Sequence, residues 1–419
     1  PTPDPRRTQH PAAGVPDSPA NWPSAPRQPR TTRGPQQIHD PGVKDAGRIA
    51  ALHRGIRPAI PEIARFNALF MRSIRIFGRA WEAGLAAAFN LFTGRPFKDL
   101  RMGLRLYQRG KLKLLPHLSW RKPRSRQRYK DSKAIAYFPG CSLSATAIEY
   151  GKSVRNVAGA LNLTLVEPPG WKCCGSSPAH ASDPVLANVL PMKTIASVEQ
   201  MGLDTITSPC SACYSRFKQA EHATRHKKQV HDSVSEALGF PYSGTVDVKH
   251  LLDIIVERVG LDAVARRVSH PLKGMKVACY YGCLITRPSG ITGAENPEYP
   301  VKMDRLLNTL GADAVDWSRK TDCCGASLGI SKPETALKLI RRIVDDAKAC
   351  GAEAIVTMCP VCHLNLDARQ EDLGSASEIP VFQATQLMAL AFGQGAEGAA
   401  IKHNLIDPGP CLAHKGLAS

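Results

Sequence analysis

Thirteen cysteines stand in this 419-residue chain, and none precedes Cys141. Ten of them fall into one order written twice. The first set reads Cys141, 31 residues, Cys173-Cys174-Gly175, 34 residues, Cys210-x-x-Cys213. The second reads Cys283, 39 residues, Cys323-Cys324-Gly325, 33 residues, Cys359-x-x-Cys362. A structural zinc site closes with four ligands, and a cubane iron–sulfur cluster also takes four cysteines. Five thiols per set suit a larger or less regular iron–sulfur assembly. Adjacent cysteines diverge and can serve different irons, the glycine lets backbone approach closely, and the CxxC turn adds two thiolates from one loop. A chain of this length needs no disulfide framework, so grouped cysteine points to metal rather than to the disulfides of a secreted protein. Two plainer readings stand beside this one: buried cysteines as small core residues, and zinc in one of the two repeats.

The elements that must position these thiols are also duplicated. AIAYFPGC (134–141) matches KVACYYGC (276–283), KCCG (172–175) matches DCCG (322–325), and ITSPCSAC (206–213) matches VTMCPVC (356–362). The offsets between matching cysteines are 142, 150 and 149 residues, nearly constant, which marks an internal duplication. AIAYF, LTLVE and DTITS read as strands in the first unit, and MKVACYY, ADAVDW and EAIVTM in the second. Helical patterns lie between them (GKSVRNVAGALN, VLPMKTIASVEQMG, VKMDRLLNTLG, ETALKLIRRIVDDAKACG). Alternating strand and helix predicts an α/β fold with a parallel sheet in each unit. Cys141, Cys210, Cys283 and Cys359 follow strand-like runs, at the sheet edge where α/β proteins bind ligands. The expected divisions are a disordered Pro/Arg-rich segment 1–57, a basic helical extension 58–133, two domains 134–270 and 271–404 facing a shared cleft, and a tail 405–419.

Charge separates the extension from the body. Residues 1–133 hold 27 Lys and Arg against 8 Asp and Glu, and residues 134–419 hold 28 of each, so the whole net charge of +19 lies in the first third. From Ile63 to Phe92, apolar residues step by 3 or 4 through Phe66, Phe70, Ile74, Phe77, Trp81, Leu85 and Ala88, with Arg65, Arg72, Arg75 and Arg79 on another face. This predicts one basic amphipathic helix over 58–92, ended by Gly94-Arg95-Pro96. A second apolar-and-basic stretch covers 97–116, and 121–133 reads as a charged linker. IFGRAWEAGLAAAFNLF (76–92) is too short and too charged to span a bilayer. The basic excess suits docking on an acidic partner or a membrane surface, and no nucleic-acid motif accompanies it.

The doubled Cys…CysCysGly…CysxxCys order resembles the cysteine-rich CCG-domain family. YFPGCSLSATAIEYG, WKCCGSSPAHASD, VACYYGCLITRP and MCPVCHLNLDARQ are most similar to the B subunit of heterodisulfide reductase, over about residues 134–404. The resemblance implies two noncubane [4Fe–4S] clusters, each held by five cysteines, with a disulfide reduced between them. The implied ligands are Cys141, Cys173, Cys174, Cys210 and Cys213 for one, and Cys283, Cys323, Cys324, Cys359 and Cys362 for the other. Residues 66–118 resemble the C-terminal tail of the ferredoxin-like C subunit of that complex, without its ferredoxin cysteines. The implied partners are that ferredoxin-like component and the flavoprotein component of the complex. The expected location is cytoplasmic, with peripheral association at the inner membrane face. Related proteins also support a second reading: an electron relay in a flavoprotein- or quinone-linked complex of the glycolate oxidase or succinate dehydrogenase kind.

Three further residues are candidates for catalysis. His363 follows the second CxxC and could protonate a departing thiolate or bond to cluster sulfur; the alternative is a packing or capping role. His180, five residues after the first CCG, carries the same choice. Arg287 could grip a substrate carboxylate or phosphate with its guanidinium fork, or form a surface ion pair. Cys279, Cys350, Cys411 and His250 read as structural, and Tyr280 and Tyr281 as cleft or packing aromatics.

Overall fold

The computed structural model describes residues 60–115, 134–240, 242–374 and 378–417. The Pro/Arg-rich segment 1–57 and the linker 121–133 lie outside these residues. Two four-stranded sheets, all parallel, run in the orders β2-β1-β3-β4 and β6-β5-β7-β8. The first comprises β1 (Ile135–Tyr137), β2 (Leu165–Val166), β3 (Thr205–Ser208) and β4 (Asp247–His250); the second comprises β5 (Lys276–Tyr280), β6 (Asp313–Ala314), β7 (Ala354–Thr357) and β8 (Val381–Gln383). The α/β duplication expected from sequence is thus the observed architecture.

The fourth strand of each sheet was not anticipated. Asp-Val-Lys-His at 247–250 and the three-residue Val381–Gln383 are too short to read as strands alone, and pairing decides them. Ser208 registers with His250, and Thr357 with Gln383, so the two sheets end alike. His250 and Gln383 each close a capping box on the helix that follows, which gives the buried His250 the structural role its position suggested. Strands this short hold because both faces are covered: β1 and β7 are buried throughout, as parallel sheets require. Two apolar cores each draw residues from both sheets, Ile206 and Ile355 in one, Tyr137 and Val356 in the other.

The expected single helix over 58–92 is two helices, α1 (Pro61–Phe77) and α2 (Glu82–Phe92). Gly78 takes φ 73° and closes α1, and the Trp81 amide then donates to Ser73 Oγ at 3.0 Å. The turn redirects the chain so that Phe70, Ile74 and Leu85 pack on Cys173. Arg65, Arg72 and Arg75 remain exposed, whereas Arg79 folds inward over the Trp171 ring at 3.7 Å. A third helix, α3 (Leu100–Gln108), falls in the second apolar-and-basic stretch.

Beyond α3, Lys111 enters the protein completely. Its ammonium lies 3.0 Å from Glu149 Oε1 in the first unit and 3.9 Å from Asp367 Oδ2 in the second, all three side chains being buried. Asp367 in turn accepts from the Leu405 and Ile406 amides at 2.8 and 3.0 Å. The extension is therefore fastened to both units by one buried cation. Lys111→Met should cost about 3–5 kcal/mol in urea unfolding, because the buried Glu149 and Asp367 lose their shared cation, and Glu149→Leu in the same chain should recover part of the loss. An unchanged unfolding midpoint in the single variant would contradict this assignment.

Candidate metal centre

The third strand of each sheet leads within two residues to a cysteine that caps a helix. Cys210 precedes the helix Ser211–His226 and Cys359 the helix Pro360–Arg369, each with extended backbone. The second CxxC thiols, Cys213 and Cys362, fall in the first turns. β1 and β5 lead instead through glycine turns to Cys141 and Cys283. Gly140 and Gly282 take φ +74° and +71°, and a Cβ on either would sit 3.2 Å from the sulfur of Cys213 or Cys362. Those glycines leave no room for a side chain beside the thiols. Gly175 and Gly325 also have positive φ, yet a Cβ there would strike Ala179 at 2.5 Å or Ala336 at 2.9 Å. The glycine of each CCG therefore clears the next helix, and the one at the sulfurs is the glycine before the lone cysteine. The sequence signal for it was present in both copies, as PGC and YGC.

The sulfurs form a string. Cys141 Sγ is 4.0 Å from Cys173 Sγ, Cys174 Sγ is 3.3 Å from Cys213 Sγ, and Cys324 Sγ is 3.5 Å from Cys362 Sγ. Mutual electrostatic influence between neighbouring thiols continues it from Cys213 to Cys210, from Cys210 across to Cys359, and from Cys359 to Cys362. Cys283 pairs with Cys323 in the same way. The two sets thus meet at Cys210 and Cys359. Among the described residues, no three His, Cys, Asp or Glu converge as ligands of one metal ion would. A run of soft thiols in two groups, with glycine turns keeping backbone clear of them, fits a sulfur-bridged iron group better than a lone ion.

Local electrostatics prepares some of these thiols for deprotonation. Hydrogen bonds from Cys210 and Cys362 hold Cys359 well below its ordinary range, helped by the backbone amides of Cys362 and Val361 at the helix start. Cys174 is lowered by hydrogen bonds from Cys173 and Cys213. Cys173 and Cys213 are pushed up by bonds to their sulfur neighbours and by burial. Cys323, the exposed member, is brought down to about 6, chiefly by Cys283, with the Gly325 amide donating to its sulfur at 3.3 Å.

A cavity of about 630 Å³ opens beside the first set. All five of its cysteines line it, together with Ala326–Ile330, the helix Pro360–Arg369 and the extension; the cysteines of the second set do not. Glu82 of α2 lies on this wall. One carboxyl oxygen accepts from Ser142 Oγ at 3.1 Å, Thr146 also faces the group, and burial raises its pKa.

The remaining candidates lie away from this cavity. His363 is buried, with Nε2 3.0 Å from the Val381 carbonyl and Nδ1 3.4 Å from Glu149 Oε1, and burial pushes it down to about 4. It joins the Lys111 cluster and is neutral near pH 7. His180 is exposed on the short helix Ser176–Ser182. Arg287 pairs with Glu298 and donates to the Thr321 carbonyl at 3.1 Å and to Thr321 Oγ1 at 3.0 Å, bracing the Cys283 loop against the Cys323 loop. Tyr280 and Tyr281 are buried and bond to the Asp322 carbonyl and Asp304. Cys279 is buried in the apolar core, Cys350 is exposed at a helix end, and Cys411 lies near the Glu353 carbonyl, none of them in the sulfur string. Arg79, whose guanidinium lies near Cys141 and Cys173, and Asn365, which donates to the Cys324 carbonyl at 2.6 Å, are neighbours that periodicity could not single out.

The profile of the cysteine-rich domain called CCG matches residues 135–218 and 277–367. The chain is 34% identical over 280 residues to the 8-methylmenaquinol:fumarate reductase membrane anchor subunit of Wolinella succinogenes, an alignment covering 66% of this chain and 98% of that one. It is 29% identical to the B subunit of the ferredoxin/F(420)H(2)-dependent CoB-CoM heterodisulfide reductase of Methanosarcina acetivorans, over 65% of this chain and 93% of that one. It is 30% identical to a protein of Archaeoglobus profundus named as like the heterodisulfide reductase B subunit, over 63% and 92%. The fold is also similar to that of a hypothetical protein from Helicobacter pylori, with a TM-score of 0.52, 10% identity and coverage of 77% of this chain and 60% of that one. The chain belongs to the CCG family of cysteine-rich iron–sulfur proteins that includes the B subunit of heterodisulfide reductase. Among the described residues, no helix is long and apolar enough to cross a membrane.

Two outcomes follow from this geometry. Gly140→Ala or Gly282→Ala should lower the metal content of its own set and leave the other set loaded, as read by iron analysis; full loading in both variants would contradict the glycine assignment. In metal-free protein, iodoacetamide should modify Cys323 first, with a rate that is half-maximal near pH 6, because its thiolate persists above that value and is lost below it. A profile titrating near pH 9, the ordinary thiol value, would contradict the local electrostatics.

Proposed function

We propose that this protein is the iron–sulfur subunit of a heterodisulfide reductase-like complex, and that it reduces, or reversibly forms, a disulfide or related sulfur bond. In this reading Cys141, Cys173, Cys174, Cys210 and Cys213 hold one noncubane four-iron cluster. Cys283, Cys323, Cys324, Cys359 and Cys362 hold the other. The observation that carries it is the meeting of the two thiol sets at Cys210 and Cys359. Bound clusters would each supply single electrons, and breaking a disulfide needs two. The duplication then has a chemical purpose: two one-electron sites held side by side.

The chain's own residues do the positioning. The helix start at Cys359 favours thiolate, and Gly140 and Gly282 leave space for the metal. Arg287 braces the second set from outside, and His363 fixes the helix that carries Cys362. Arg79 offers a positive charge beside Cys141 and Cys173. Electrons would enter from ferredoxin-like and flavoprotein partners, and the exposed Arg65, Arg72 and Arg75 suit docking on an acidic partner or at the inner, cytoplasmic face of a membrane.

The similarity to a menaquinol-linked fumarate reductase subunit favours a second reading, in which the clusters relay electrons and no disulfide binds. Anaerobically purified protein should contain roughly eight irons per chain with matching sulfide. Adding a disulfide to the reduced complex should change the cluster EPR signal. Cys174→Ser and Cys324→Ser should each remove about half the iron and all two-electron turnover. An EPR spectrum that no disulfide alters would favour the relay. Colourless protein holding zinc alone would end both readings.

A further inference from the structure

The cavity beside the first thiol set has a character that the family reading does not specify. Its volume of about 630 Å³ falls within the ordinary range of small-molecule sites. One end is thiol; the remaining wall comes from α1, α2, α3 and the leucines after it, the helices Ser176–Ser182 and Pro360–Arg369, and the segment around Ser327. Of the Asp, Glu, Lys, Arg and His side chains among the described residues, only Glu82, Asp99 and Arg369 line it. Each is engaged. Asp99 accepts from Asn90 Nδ2 at 2.9 Å, the buried Arg369 donates to the Gly329 carbonyl, and Glu82 accepts from Ser142. Among the described residues, the cavity therefore presents no free cation to a ligand. An anionic sulfonate, phosphate or carboxylate would lose its hydration here with no free cation among the described lining residues to pair with it.

The rim points the same way. Leu100, Leu104 and Leu114 line the cavity and are also more than half exposed, at 63%, 55% and 58%. A mouth edged with leucine lets apolar material in without stripping water from charged groups. Burial raises the pKa of the Glu82 carboxyl, which works against a full negative charge near the thiol end, and one of its oxygens is already taken by Ser142.

We infer that this cavity takes an uncharged, lipophilic molecule with a small polar head and a long hydrocarbon body, its head directed toward Glu82 and the thiol end. The inference deepens the proposed function by naming the substrate class, and it rests on reading the thiol end as the cluster site. A prenylated quinone and a neutral dialkyl disulfide share this chemistry, and binding measurements separate them.

Gly103 provides the variant that closes the cavity. It lies on α3 and lines the cavity, and a Cβ there would meet nothing within 4 Å. Gly103→Phe therefore starts its side chain in open space and replaces a glycine inside a helix. The full-length protein, purified anaerobically, is titrated by calorimetry with a naphthoquinone bearing a two-isoprenyl tail, with dihexyl disulfide, and with oxidised glutathione as the charged probe. Iron content is measured on the same samples. At least one neutral probe should bind saturably, and Gly103→Phe should weaken it by about tenfold or more at unchanged iron content. Which neutral probe binds tells the quinone from the disulfide. Oxidised glutathione binding that Gly103→Phe abolishes would overturn the inference, as would iron-loaded protein that binds neither neutral probe. Neutral-probe binding by protein that holds no iron would sustain the inference while sinking the cluster reading.

Discussion

The sulfur positions depend on one constraint: the third strands of two parallel sheets end where their thiols can touch. β3 delivers Cys210 and β7 delivers Cys359, each as the cap of the following helix, close enough for the two thiols to shift each other's ionisation. Every other thiol is placed relative to these two. Cys213 and Cys362 follow one helical turn on, Cys174 and Cys324 pack against them, and the glycine turns after β1 and β5 add the outermost members. Because strand, cap and helix are rigid elements sharing buried cores, the four CxxC thiols are fixed by regular structure, and the turns and loops that carry the other six pack against them.

The two sets share an order but not an environment. The first is roofed by α1 and α2, and the Cys173 amide donates to the Gly78 carbonyl of the extension at 2.9 Å. The second has Cys323 exposed and Cys283 partly so. Solvent exposure and hydrogen bonding to sulfur set cluster potentials, so two chemically equal ligand sets in unequal surroundings would differ in potential. The extension contributes that asymmetry, and Lys111 secures it by pairing with acids from both units.

Much of this was legible in the sequence because duplication writes each signal twice. Ten cysteines at near-constant offsets gave the thiol sets, and apolar runs before Cys141, Cys210, Cys283 and Cys359 placed them at strand ends. What escaped depended on long-range contact. β4 and β8 exist by pairing, not by pattern. The break at Gly78 was hidden because apolar residues keep their spacing across it. His363 reads equally as a proton donor and as a packing residue, and its contacts with Glu149 and the Lys111 cluster are long-range ones that no local pattern could show. Lys111 itself reads as one more base in a basic stretch. The difference between the glycines of CCG and those of PGC and YGC appears only when a side chain is built in space.

Anomalous scattering at the iron edge, on crystals grown without oxygen, tests the central claim most directly. Two iron peaks are expected, one enclosed by Cys141, Cys173, Cys174, Cys210 and Cys213, the other by Cys283, Cys323, Cys324, Cys359 and Cys362. They should be neighbours, with Cys210 and Cys359 between them. A single peak, or iron remote from either set of thiols, would contradict the account.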